Sequence, residues 1–152
     1  MDSIARVLAA RPDPYWARVV GIKRQAVAAW AKFAAGDTAG ALAEASAAAD
    51  AEDVTEKHPV TPGELLPARE LEADLHFAAG HYAAARAAYL ATLTREPGRA
   101  RALYGAARSA ELAGDRTAAT TGYREYLQMM EKADGDRAEL ATARAFVGQG
   151  SR

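Results

Sequence analysis

Catalysis or metal binding needs a nucleophile beside a base, paired carboxylates in a cleft, or several ligands in one cluster. The 152-residue chain offers few such groups. Its histidines are His58, His76 and His81. Zinc sites take three or four converging ligands, and no compact motif around these histidines supplies them. His76 and His81 are five apart, so on one continuous helix they face different ways, and Gly80 breaks the helix between them. Glu72 and His76 are four apart and can pair on one helix face, or form a solvated or loop-covered polar seam. Ser46 and Ser109 sit in alanine-rich stretches without a histidine close in sequence. There is no cysteine, which removes disulfides and thiolate chemistry. No catalysis, cofactor or metal is expected. What remains is recognition: Trp30, Phe33, Phe77 and Tyr104, with Arg101 and Arg108, are the residue types that dominate interface energies.

The elements that must hold these groups are helical. About a quarter of the residues are alanine, the best helix former. β-branched residues are sparse and nothing alternates with period two, so the class is all-α. The length fits one domain, 1–152, with a sizeable core. Net charge is -1, from 19 basic and 20 acidic residues, which argues against a nucleic-acid binder. No apolar stretch approaches the roughly 20 residues of a membrane span, and Met1–Ala10 does not read as a signal peptide. A cytoplasmic protein without membrane or nucleic-acid partners is expected.

A short helix is expected over 3–10, stopped by Arg11-Pro12-Asp13-Pro14. Asp13 as N-cap with Pro14 at the first helical position starts a helix over Tyr15–Ala35. Gly36-Asp37 ends it and caps the next, Thr38–Glu52. A long connection, 54–66, contains Thr61 and Glu64 at capping-box spacing and predicts a short helical turn at 62–66. Helices are then expected over Pro67–Ala79, His81–Arg95, Arg99–Ala113, Arg116–Lys132 and Arg137–Val147, with a disordered tail over 148–152.

Within this series one pattern occurs twice. Gly80 to Gly114, Ala85 to Ala119 and Tyr89 to Tyr123 all give an offset of 34, the period of a tetratricopeptide helix–turn–helix repeat. The chain resembles that family. With Gly36, Gly80 and Gly114 as the turn glycines, Ala29, Ala73 and Ala107, and Ala41, Ala85 and Ala119, take the two small-residue positions where the helices of a pair cross closely. Tyr89 and Tyr123 take the aromatic seam position. Departures are Gln25 and Arg69 at a usually apolar position, and Glu72 and His76 where leucine and an aromatic are usual. The resemblance implies a right-handed α-solenoid of about three helix pairs, 14–53, 67–98 and 99–133, closed by a capping helix at 136–147. The wording around Lys57–Gly63 and Leu65–Leu71 is also similar to the C-terminal part of larger bacterial tetratricopeptide proteins of no settled function.

Members of the family bind an extended peptide on the concave face lined by first helices. Carried over, that face holds Lys23, Trp30 and Phe33, then Glu70, Asp74 and Phe77, then Arg101, Tyr104, Arg108 and Glu111. Trp30 and Phe33 equally read as core. The absence of asparagine excludes the carboxylate clamp of chaperone-type members. The resulting expectation is a non-enzymatic scaffold for an unknown protein or peptide. Two other readings stay open: a structural or self-associating segment of a longer solenoid, possibly a homo-oligomer, and a small-ligand or metal site at the His58 loop.

Overall fold

The computed structural model describes residues 3, 6, 7, 15–56, 64–133 and 137–149. The expected helix over 3–10, the Asp13-Pro14 cap, the His58 loop and the end of the tail fall wholly or mostly outside these residues. Among the described residues there are seven long helices and no strand: α1 (Tyr15–Ala34), α2 (Thr38–Asp53), α3 (Ala68–Ala78), α4 (Tyr82–Arg95), α5 (Ala100–Leu112), α6 (Arg116–Met129) and α7 (Ala138–Gln149). The chain divides into two compact units, Met1–Leu75 and His76–Arg152.

Three of the turns are the same object. At Gly36, Gly80 and Gly114 the backbone is left-handed, with φ of 87°, 77° and 83°. A Cβ is strained there, which is why glycine closes each helix. In each turn the glycine N–H bonds the carbonyl three residues back, and the next N–H bonds the carbonyl five residues back. These pairs are Gly36 to Phe33 and Asp37 to Lys32, Gly80 to Phe77 and His81 to His76, and Gly114 to Glu111 and Asp115 to Ala110, all at 2.9–3.0 Å. The residue after the glycine then opens the next helix. Asp37 accepts from Gly40 N–H at 2.8 Å, and Asp115 from Ala118 N–H at 2.9 Å. His81 holds the same place without a side-chain cap bond.

The packing follows from small side chains. Ala29, Ala41, Ala73, Ala85, Ala107 and Ala119 are all at most 1% exposed. In the first unit, Ile22 and Ala26 of α1 pack with Ala48 and Ala49 of α2 and Ala68 of α3, and Ala29, Ala45 and Leu75 form a second layer. In the second unit the core is Ala107 and Ala110 of α5, Ala119, Tyr123 and Tyr126 of α6, and Leu140 and Ala143 of α7. Tyr89 of α4 lies so close to α5 that a Cβ on Gly105 would come within 2.4 Å of its ring. One expectation is corrected at the C-terminus. Helix α7 runs through Gly148 to Gln149 rather than ending at Val147, because a glycine in a last turn weakens a helix without breaking it.

Two substitutions test this account. His81→Asp supplies the missing N-cap acceptor and is expected to raise stability by about 1 kcal/mol, read as an increased midpoint in urea unfolding. Gly105→Ala gains helix propensity but drives a methyl into the Tyr89 ring. Overpacking of this kind costs about 1–3 kcal/mol, so the same assay is expected to show a net loss.

Candidate functional site

The expected binding residues divide between the two units. Lys23, Trp30, Phe33, Glu70 and Asp74 belong to the first, and Phe77, Arg101, Tyr104, Arg108 and Glu111 to the second.

In the first unit Lys23 has a structural partner set. Its ammonium lies 2.7 Å from Glu52 Oε2 and 2.8 Å from Glu64 Oε2, and donates to the Leu66 carbonyl at 3.3 Å. The other Glu52 oxygen accepts the Ala68 N–H at 2.6 Å, so a carboxylate from α2 caps the start of α3. Burial pulls the Lys23 ammonium towards neutrality, but the hydrogen bonds to Glu52 and Glu64 outweigh it and its pKa stands above the ordinary value. Glu64 thus reaches Lys23; its expected capping-box partner Thr61 lies outside the described residues. Beside this clasp, Arg69 donates to Asp50 Oδ1, Asp53 Oδ2 and Glu72 Oε2, each at 2.6 Å. The Glu72 carboxylate is engaged by Arg69.

Glu70 is fully buried in the first turn of α3. Trp30 and Phe33 stack edge to face at 6.0 Å and pack on the Ala29–Ala45–Leu75 layer. The Trp30 indole nitrogen is itself buried, which places this ring in the core layer. Asp74 is half-buried.

The second unit brings its residues together on one helix. Arg101, Tyr104, Arg108 and Glu111 follow one another at spacings of three and four along α5, which sets them on one face. Arg101 is exposed, and the other three are half-buried. Tyr104 lies 5.9 Å from the Tyr123 ring and 5.4 Å from the Tyr126 ring, and Tyr123 lies 5.2 Å from Phe146 of α7. Arg116 covers the other side of Phe146, 5.1 Å from its centroid. Arg108 Nη1 meets Glu111 Oε1 at 2.6 Å, and the Tyr123 hydroxyl donates a short hydrogen bond to the other Glu111 oxygen. Glu111 therefore ties α5 to the aromatic layer of α6. Burial opposes its charge, but the hydrogen bonds from Arg108 and Tyr123 prevail and hold its pKa below the ordinary 4.5. Burial and the Glu111 carboxylate together push the Tyr123 hydroxyl well above the ordinary tyrosine range.

Phe77 packs against Tyr82 across the Gly80 turn at 5.6 Å. The same turn sets the His76 and His81 rings 5.9 Å apart. The left-handed Gly80 folds the chain back and brings them together. Among the described residues no three His, Cys, Asp or Glu side chains converge as metal ligands. Two hydrogen-bonding centres are not visible in the sequence: Glu52 and the Tyr123 hydroxyl. Only the repeat position of Tyr123 signalled burial, and nothing in the sequence signalled its hydroxyl partner.

The Glu111 arrangement makes a pH prediction. A carboxylate with a depressed native pKa stabilises the fold above its unfolded pKa and loses that contribution as pH falls through the native value. Glu111→Gln is therefore expected to cost about 1–2 kcal/mol near neutral pH. The gap between variant and parent should close as pH drops below 4.5, as read by urea unfolding at a series of pH values.

No protein-family model matches this chain, and no curated protein sequence matches it.

Proposed function

We propose that the chain is a non-enzymatic binding module built from three tetratricopeptide-type helix pairs, and that it takes an extended peptide on the face of α5. The observation that carries this reading is the alignment of Arg101, Tyr104 and Arg108 on a helix stiffened from behind by the Tyr104–Tyr123–Tyr126 contacts and the Arg108–Glu111–Tyr123 bonds. A face held in one conformation loses little entropy on binding. The repeat assignment is supported by the three matching glycine turns and the six buried alanines at the close-crossing positions. Arg101 is the most exposed of the three and suits a carboxylate on the peptide; the Tyr104 ring suits an apolar side chain beside it. Lys23 and Glu70 serve the frame of the first unit rather than the face, since one is clamped and the other buried.

A second reading, a segment that extends a longer helical array, is favoured by the first unit. Gly21, Arg24, Gln25, Ala28 and Glu44 line an open cleft of 490 Å³. Gln25, Ala28 and Glu44 are the repeat counterparts of Leu103, Ala106 and Gly122, which face Leu90 and Leu93 of α4 across a cleft of 260 Å³.

A random-peptide display library panned on the whole chain separates the two. The binding module is expected to enrich a motif with an acidic residue next to an apolar one, and Arg101→Glu with Tyr104→Ala is expected to weaken the selected peptide at least tenfold in fluorescence anisotropy, about 1.4 kcal/mol. No enrichment, or a peptide indifferent to both substitutions, rejects the α5 face and leaves the array reading.

A further inference from the structure

The cleft of the second unit lies on a different face of α5 from Arg101 and Tyr104, and it has a composition of its own. Its walls are α4 and α6, its floor is α5, and its volume is 260 Å³. Leu90 and Leu93 on one wall and Leu103 and Ala106 below form its apolar part, and Arg86, Thr121 and Glu125 add polar groups. Leu90 is 40% exposed, high for a leucine in the middle of a helix. At its base Gly122 of α6 meets Ala107 of α5 so closely that a Cβ there would come within 2.9 Å of the alanine methyl. The surface thus offers an apolar centre with polar groups at its edges, the pattern of a protein–protein contact.

Its rim carries one charge of each sign. Arg86 stands on the α4 side, one turn before Leu90, and Glu125 on the α6 side, one turn after Gly122. They do not pair with each other or with another charge among the described residues. An apolar strip between one cation and one anion is complementary to itself. A two-fold axis midway between Arg86 and Glu125 sets each against its counterpart on another copy, giving two identical ion pairs around a leucine centre. A foreign helix would need to carry both charges at the matching separation; a second copy carries them already.

We infer that the α4–α6 cleft is the two-fold interface of a homodimer, with Leu90 and Leu93 at its centre and Arg86–Glu125 pairs at both ends. The inference is independent of the peptide reading, since it uses another face of α5. A dimer built this way leaves the Arg101–Arg108 face of α5 free on each copy and doubles the binding sites per particle.

Sedimentation equilibrium on the full chain over a wide concentration range tests it. The parent is expected to show a monomer–dimer equilibrium, and Leu90→Glu to lose the dimer while its far-ultraviolet dichroism stays helical. Arg86→Glu and Glu125→Arg are each expected to be monomeric, since each sets like charges together twice. An equal mixture of the two is expected to regain the dimer, because the mixed pair restores both contacts. A parent that stays monomeric at the highest concentration overturns the inference. So does a dimer indifferent to Leu90→Glu, or a mixture that stays monomeric. The mixing arm holds even if Leu90→Glu fails to fold.

Discussion

Close approach of helices through alanine is the constraint on which both units depend. Two helices can cross at short distance only where neither carries more than a methyl group. Six alanines meet that condition in this chain, at equivalent places in three turn-connected segments, and all six are sealed from solvent. Each contributes little hydrophobic free energy, because a methyl buries little area. Their effect is geometric: they let larger neighbours such as Ile22, Leu75, Tyr89 and Tyr123 reach across and fill what remains. An enlargement at any of these points would push a whole helix outward, since interiors at native density have no slack to absorb it.

Charge is distributed to protect this thin core. Lys23 and Arg69 in the first unit each bind two or more carboxylates, and Arg108 in the second binds Glu111. Half-buried ions are tolerated only in that state, because the desolvation penalty of an unpaired one exceeds what a single contact returns. The two units solve the problem differently. The first ties charge to backbone at the start of α3. The second ties charge to an aromatic hydroxyl, so that a tyrosine buried for its ring also has its oxygen satisfied.

Most of the helical layout was legible in the sequence, and the reasons are local. Gly36, Gly80 and Gly114 mark helix ends because only glycine is at ease at φ near +80°, and Asp37 and Asp115 mark starts because a carboxylate can reach back to a free N–H. Those signals act within four residues, so one sequence displays them fully. The candidate site was less legible because its chemistry is long-range. Lys23 reads as an exposed base until Glu52, 29 residues away, and Glu64 fold against it. Trp30 reads equally as anchor or core until its indole nitrogen is seen to be buried. His76 and His81 read as divergent until the turn reverses the chain. Arg101, Tyr104, Arg108 and Glu111 were readable as one face because they share one helix.

The Glu52–Lys23–Glu64 clasp also bears on how the chain tolerates change in length. Gly36 and Gly80 are 44 apart where the next interval is 34, so the connection before α3 carries ten extra residues. The start of α3 is set by Glu52 at the Ala68 N–H and by Lys23 at the Leu66 carbonyl. The α3 end of the connection is therefore fixed by groups outside it. Under that condition added length costs only the logarithm of loop size, about 0.6 kcal/mol for each doubling. The connection is the place in this chain where a tag, an epitope or a further structural element can be accommodated while the helices on either side keep their register.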